Sequence, residues 1–154
     1  MNSKCLDCGA ASQSSNGVQI NTAKMETSDI KLLKQLESSW SQVLYRHHEA
    51  LASLRDKVAK LEVERGNVGE AVRLLGLGLE YTEVRYGEDS IEAGHELLKF
   101  SDVLLVGFQS GQEDGRARMR LCDTLRHAQK IFTLQTGKQS KTVKEIEEKL
   151  NFLS

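Results

Sequence analysis

The sequence predicts an all-α fold, and three observations carry that reading. Proline, the commonest helix breaker, is absent from all 154 residues. Apolar residues recur at spacings of three and four along most of the chain. Glycines and short polar clusters separate the periodic stretches. With 39% hydrophobic and 28% charged residues the chain is long enough for one domain with a modest core.

Residues 1–27 differ from the rest. Ala10-Ala11-Ser12-Gln13-Ser14-Ser15-Asn16-Gly17 is small, polar and aperiodic, so the segment reads as a flexible tail preceding a helical domain over 28–154. From Ser28, with Ser28 or Asp29 available as N-cap, Ile30, Leu33, Leu36, Trp40, Val43 and Leu44 form one apolar stripe. Leu51, Leu54, Val58 and Leu61 continue its period to Gly66, a suitable C-cap. The pattern leaves open whether the chain bends near His47-His48. Asn67 with Glu70 resembles a capping box that starts the next helix, and Tyr86-Gly87 ends it. Asp89 with Glu92 opens a segment apolar nearly all round, from Ile91 to Phe108, the expected most buried helix. Gln109 to Gly115 reads as an exposed loop. Ala117, Leu121, Leu125, Ala128 and Phe132 make a further stripe that ends at Gly137, and Val143, Ile146, Leu150 and Leu153 make a short amphipathic capping helix.

Self-similarity organises these helices. Ala71, Leu75, Gly78, Gly87 and Ser90 are matched by Leu121, Leu125, Ala128, Gly137 and Ser140 at a constant offset of 50 (121 − 71 and 137 − 87). One helix and turn is thus used twice, as in stacked hairpins whose units cannot bury their apolar faces alone. Gly66-x-Val68-x-x-Ala71 followed by Gly78 resembles the tetratricopeptide signature. The longer spacing, the missing proline and Glu62 at an aromatic position depart from it. The implied architecture is a long N-terminal helix, two divergent tetratricopeptide-like hairpins of α-α superhelix type, and a capping helix.

The net charge of −1 excludes the broad basic field that nonspecific nucleic-acid or anionic-membrane binding requires. No apolar run approaches the roughly 20 residues of a membrane span, and Met1-Asn2-Ser3-Lys4-Cys5 lacks a secretory signal. These features imply cytoplasm and/or nucleus, with reduced cysteines. Gly76-x-Gly78 has Tyr81 where a phosphate loop needs its third glycine, so it reads as helix packing. His47, His48, His95 and His127 lie near no nucleophile pattern and read as surface or satisfied helix histidines. Arg116, Arg118, Arg120 and Arg126, interleaved with Asp114 and Asp123, read as a solvated helix face.

Arg85-Tyr86-Gly87-Glu88-Asp89-Ser90-Ile91-Glu92-Ala93-Gly94-His95-Glu96-Leu97-Leu98-Lys99-Phe100 resembles the C-terminal helical region of the SET and MYND domain lysine methyltransferases. Gly66 to Ala71, Ala128-Gln129-Lys130-Ile131-Phe132 and Gly137 extend the likeness over about residues 45–150. The resemblance implies a full-length relative that transfers methyl from S-adenosylmethionine to protein lysines. This chain shows no Asn-His-x-Cys and no Glu-Leu-x-x-Asp-Tyr stretch, and no dense set of paired cysteines. No catalytic residue carries over, S-adenosylmethionine is expected only in the full-length parent, and the chain reads as a helical fragment or isoform. It would support the catalytic SET and MYND half or dock protein partners.

Cys5-x-x-Cys8-Gly9 has the spacing of half a zinc knuckle. Cys122, His47 and His48 stand at no recognised spacing to complete it, so zinc would need ligands outside the chain. The resemblance implies a half-site severed from a zinc-binding segment, and a tail with two exposed thiols is the alternative. His95, Lys99 and Asp102, at helical spacing after Gly87, are the candidate docking residues. Two other functions compete with docking: the methyltransferase activity itself, and self-association through Leu33, Leu36, Trp40 and Val43.

Overall fold

The computed structural model describes residues 22–111 and 115–154, with side chains from residue 29 onward. Among these residues there are six helices and no strand, as the periodicity predicts. They are α1 (Thr22–Val43), α2 (Glu49–Glu64), α3 (Val68–Tyr86), α4 (Ile91–Gln109), α5 (Gly115–Thr136) and α6 (Lys141–Leu153). The chain divides into two compact units between Leu36 and Glu37. The described part of the first is the N-terminal portion of α1. The second, Glu37–Ser154, holds the end of α1 and all of α2 to α6.

The first helix begins at Thr22, so Ser28 and Asp29 lie inside it and do not cap it. Ala23, Lys24, Met25 and Glu26 are good helix formers with no breaker among them, which lets the helix run back past the stripe's first apolar residue. The continuous period between Ile30 and Leu61 belongs to two helices. The chain breaks after Val43, and His48 restarts it as an N-cap whose Nδ1 accepts the Ala50 N–H at 3.1 Å.

Asn67 and Glu70 form no capping box. The Asn67 side chain makes no cap hydrogen bond. Its Nδ2 instead donates to Glu62 Oε2 at 2.6 Å, while Glu70 pairs with Arg73. Glu62 is only 1% exposed. A buried carboxylate needs its donors more than an exposed helix end needs a cap, because water satisfies the latter at little cost. The start of α4 shifts by one residue for a similar reason. Ser90 is the N-cap, accepting the Ala93 N–H at 3.1 Å, and Asp89 is engaged elsewhere.

The 50-residue repeat holds in three dimensions. Gly87 at φ +99° and Gly137 at φ +87° end α3 and α5 in a backbone region that side chains rarely adopt. Three residues on, Ser90 and Ser140 cap the next helix, each donating its N–H to the glycine carbonyl at 3.2 Å. Ala71, Leu74, Leu75, Thr82 and Ala93 are buried, and so are their partners Leu121, Thr124, Leu125, Phe132 and Val143. With links this short, successive helices pack antiparallel: α2 on α3, α3 on α4, α4 on α5 and α5 on α6.

Helix α4 is the most buried, as expected, contributing Ala93, Leu97, Phe100, Val103 and Leu104 to the core. It lies tight against α5 at Gly94, where an added Cβ would lie 3.0 Å from Ile131 Cγ2 and 3.1 Å from Phe132 Cε2. Gly76 is different, since a Cβ there would meet only Phe100 Cε2, at an ordinary 3.9 Å. The last helix is amphipathic, burying Val143, Ile146 and Leu153. It is tied down by Arg118 of α5, whose guanidinium donates to the Leu153 carbonyl.

Two stability predictions follow from these contacts. Aspartate caps helices as well as asparagine does, so Asn67→Asp would be neutral if Asn67 were only a cap. Because it serves Glu62, the substitution should cost about 1–3 kcal/mol, read as a lower denaturant midpoint at unchanged slope. Gly76→Ala should gain about 0.5–1 kcal/mol from helix propensity, whereas Gly94→Val, forced against Ile131 and Phe132, should lose about 1–3 kcal/mol to overpacking. Thermal and urea unfolding of the two variants measure the contrast.

Candidate docking face

Helices α2, α4 and α6 share one face of the second unit. Lys99 Nζ of α4 reaches Asp56 Oδ1 of α2 at 2.7 Å, and Lys149 Nζ of α6 reaches Asp102 Oδ1 of α4 at 2.7 Å. Lys99 also pairs with Glu96 at 2.9 Å. Partial burial, the largest influence on Lys99, pulls its pKa down, but the hydrogen bonds to Asp56 and Glu96 more than offset it and leave the pKa raised.

Two hollows open between α2 and α4. The first, of about 210 Å³, is lined by Ser53, Asp56, Gly78, Tyr81, Glu96 and Lys99 among others. Leu74 and Leu75 are also in its wall. The second, of about 370 Å³, shares Asp56, Leu75 and Lys99 with the first and adds Lys60, Val63, Asp102 and Val103. It is mainly apolar inside and charged at its edges. A third cleft, between α4 and α6, is lined by Leu105, Gln109, Glu145, Glu148, Lys149 and Phe152.

The structure separates the three docking residues read from the sequence. Lys99 and Asp102 stand on this face, each in an ion pair with a neighbouring helix. His95 is exposed but stacks edge-on against Phe132 of α5, with centroids 5.2 Å apart. Sequence reasoning missed Asp56, Gly78, Tyr81 and Glu96. Glu96 was legible as a neighbour three residues before Lys99 on one helix. Asp56 was not, because its pairing with Lys99 spans 43 residues and depends on how α2 packs.

The other candidates are placed as follows. Cys5 and Cys8 lie outside the described residues. Among the described residues no three His, Cys, Asp or Glu side chains gather to hold a metal ion. Among the described residues no helix is long and apolar enough to cross a membrane. Val43 is exposed, with Leu33, Leu36 and Trp40 half-buried. The arginines of α5 are more than a solvated face: Arg118 holds Leu153, and Arg120 lies 4.7 Å from the Phe100 ring centroid. Arg126 pairs with Asp123. Three histidines have structural partners: His47 meets Glu80 at 3.0 Å, His127 meets Asp89 at 3.1 Å, and His48 caps α2.

The chain is therefore an all-α, hairpin-built domain with an open, ion-paired face. No protein-family model matches it. It is similar to protein-lysine N-methyltransferase SMYD4 of Gallus gallus, 29% identical over 119 residues, which are 77% of this chain and 15% of the relative. The SMYD4 of Mus musculus is 28% identical over 129 residues, 84% of this chain and 15% of the relative. That of Homo sapiens is 25% identical over 104 residues, 68% and 12%. The resemblance to SET and MYND methyltransferases drawn from the Tyr86 to Phe100 stretch stands, and the chain spans 12–15% of the length of the relatives it matches.

Two carboxylates away from the docking face fasten the hairpins. Asp89, in the turn before α4, accepts hydrogen bonds from Lys130 at 2.9 Å and pairs with His127, both on α5. Lys130 first, then His127, lower its pKa. Glu80 is lowered likewise, by His47 and then Arg46. A carboxylate with a lowered folded pKa stabilises the fold above the unfolded value of roughly 3.9 for aspartate, and that contribution is lost as pH falls through the folded value. Asp89→Asn should therefore lower the urea midpoint at about pH 6, and the gap to the unsubstituted chain should shrink by about pH 2.

Proposed function

We propose that the chain is a non-catalytic protein-docking region, of the kind placed C-terminal to the catalytic part of a SET and MYND protein-lysine methyltransferase. The observation that carries this reading is the α2, α4 and α6 face, where Lys99 and Lys149 bridge neighbouring helices beside open grooves. The similarity to protein-lysine N-methyltransferases over 68–84% of this chain, against 12–15% of theirs, supports it. The hairpins belong with divergent tetratricopeptide-like repeats. The occupant of the face is the catalytic half of the parent enzyme or a protein that it engages. S-adenosylmethionine and methyl transfer belong to that half. Any zinc at Cys5 and Cys8 takes its remaining ligands from there too.

Labelled chain titrated with the purified catalytic half of a SMYD4 relative tests the reading. Saturable binding is expected, with a loss of at least about tenfold, or roughly 1.4 kcal/mol, on reversing charges at Asp56→Lys and Asp102→Lys. Circular dichroism checks that the variant remains helical. Unchanged affinity counts against the face, and retention of labelled S-adenosylmethionine by this chain alone overturns the non-catalytic reading.

A further inference from the structure

The geometry points to a specific chemistry for the occupant: an extended peptide that places an arginine in the hollow over Gly78 and an apolar side chain in the adjoining hollow. This rests on the docking reading above and deepens it.

The first hollow carries an uneven charge. Asp56 and Glu96 both bind the single ammonium of Lys99, so two carboxylates share one cation and one negative charge is in excess. The space beside them, about 210 Å³, has room for one long side chain. Gly78 lies in its wall, where a Cβ would sit at an ordinary 4.0 Å from Glu96 Oε2 and only a larger side chain would fill the space. The corresponding repeat position, Ala128, is fully buried, whereas Gly78 lines this hollow. A guanidinium suits it better than an ammonium, because its planar fork can bind two carboxylates at once and lie against the half-buried Tyr81 ring.

The adjoining hollow takes a different group. Its walls are Val63, Leu75 and Val103, which suit a leucine-sized side chain. Measured along α2 and α4, the two hollows are centred about 6–10 Å apart at 1.5 Å per helical residue. That separation is two or three residues of extended peptide at about 3.3 Å each. The recognised pattern is thus an arginine followed or preceded, after one or two residues, by a leucine-like residue.

Nitrogen-15-labelled chain titrated with a glycine-serine nonapeptide carrying an Arg-Ser-Leu core tests this by chemical-shift mapping. Saturable shifts at Gly78, Tyr81, Glu96 and Lys99 are expected. Replacing the peptide's arginine by glutamate should abolish them. Glu96→Gln in the chain should weaken binding at least about tenfold, as should Gly78→Leu, whose fold the same spectra check. Glu96→Gln keeps the side-chain shape and serves if Gly78→Leu fails to fold. The proposal is overturned if the Arg-Ser-Leu peptide gives no saturable shifts in this groove, if the glutamate peptide binds equally well, or if the chain substitutions leave affinity unchanged. If any of these occurs while the catalytic half still binds the face, the docking reading survives and the arginine chemistry alone falls.

Discussion

A helix such as α3, with apolar residues on more than one side, can bury them only if the chain turns back at once and lays the next helix against it. Gly87 makes that turn, and Gly137 makes it again for α5. The positive φ ends the helix, the glycine carbonyl accepts the N–H three residues on, and the serine found there caps the new helix. Because the link is fixed in length, the register of α4 on α3 and of α6 on α5 is fixed too. Ala93 and Val143 then arrive at equivalent buried places. Each helix packs chiefly on its neighbours in the chain, so a shift in one turn would unseat the core on both sides of it.

Much of this fold was legible because it rests on local rules. Periods of three and four locate the helices, and the constant offset between Ala71 and Leu121 locates the repeat. Two of the misreadings share one cause. The Asn67 and Glu70 pair has the form of a capping box, yet a buried carboxylate five residues back takes the asparagine amide. Asp89 has the form of a cap, yet Lys130 and His127, about forty residues on, take its carboxylate. Short-range patterns state what a side chain can do locally. Contacts between distant residues decide which of those options is used, and they are set by packing that one sequence does not display. The α2, α4 and α6 face shows the same limit: helical spacing put Lys99 and Asp102 on one face of α4, while the pairing of Asp56 with Lys99 across 43 residues was not legible.

The charged contacts differ in purpose according to burial. Arg55 and Glu37 pair at 3.0 Å with side chains only 8% and 13% exposed, and the Arg55 guanidinium also reaches the Arg46 carbonyl. Removing one partner of so buried a pair costs about 3–5 kcal/mol, because the other charge is left without compensation. Exposed pairs are worth about 0–1 kcal/mol. Lys99 with Asp56 and Lys149 with Asp102 are of the second kind, at 34–60% exposure.

That difference leaves the α2, α4 and α6 face free to rearrange. Its ion pairs hold side chains in place while contributing little to the stability of the fold, so they can be exchanged for other charges at small cost. The core beneath does not depend on them, being closed by Leu74, Leu75, Leu97 and Val103. Gly78 lies in the wall of the first hollow, beside the ion pairs that Lys99 makes with Asp56 and Glu96. Space, excess negative charge and a low energetic cost of rearrangement therefore coincide at a single point between α2 and α4.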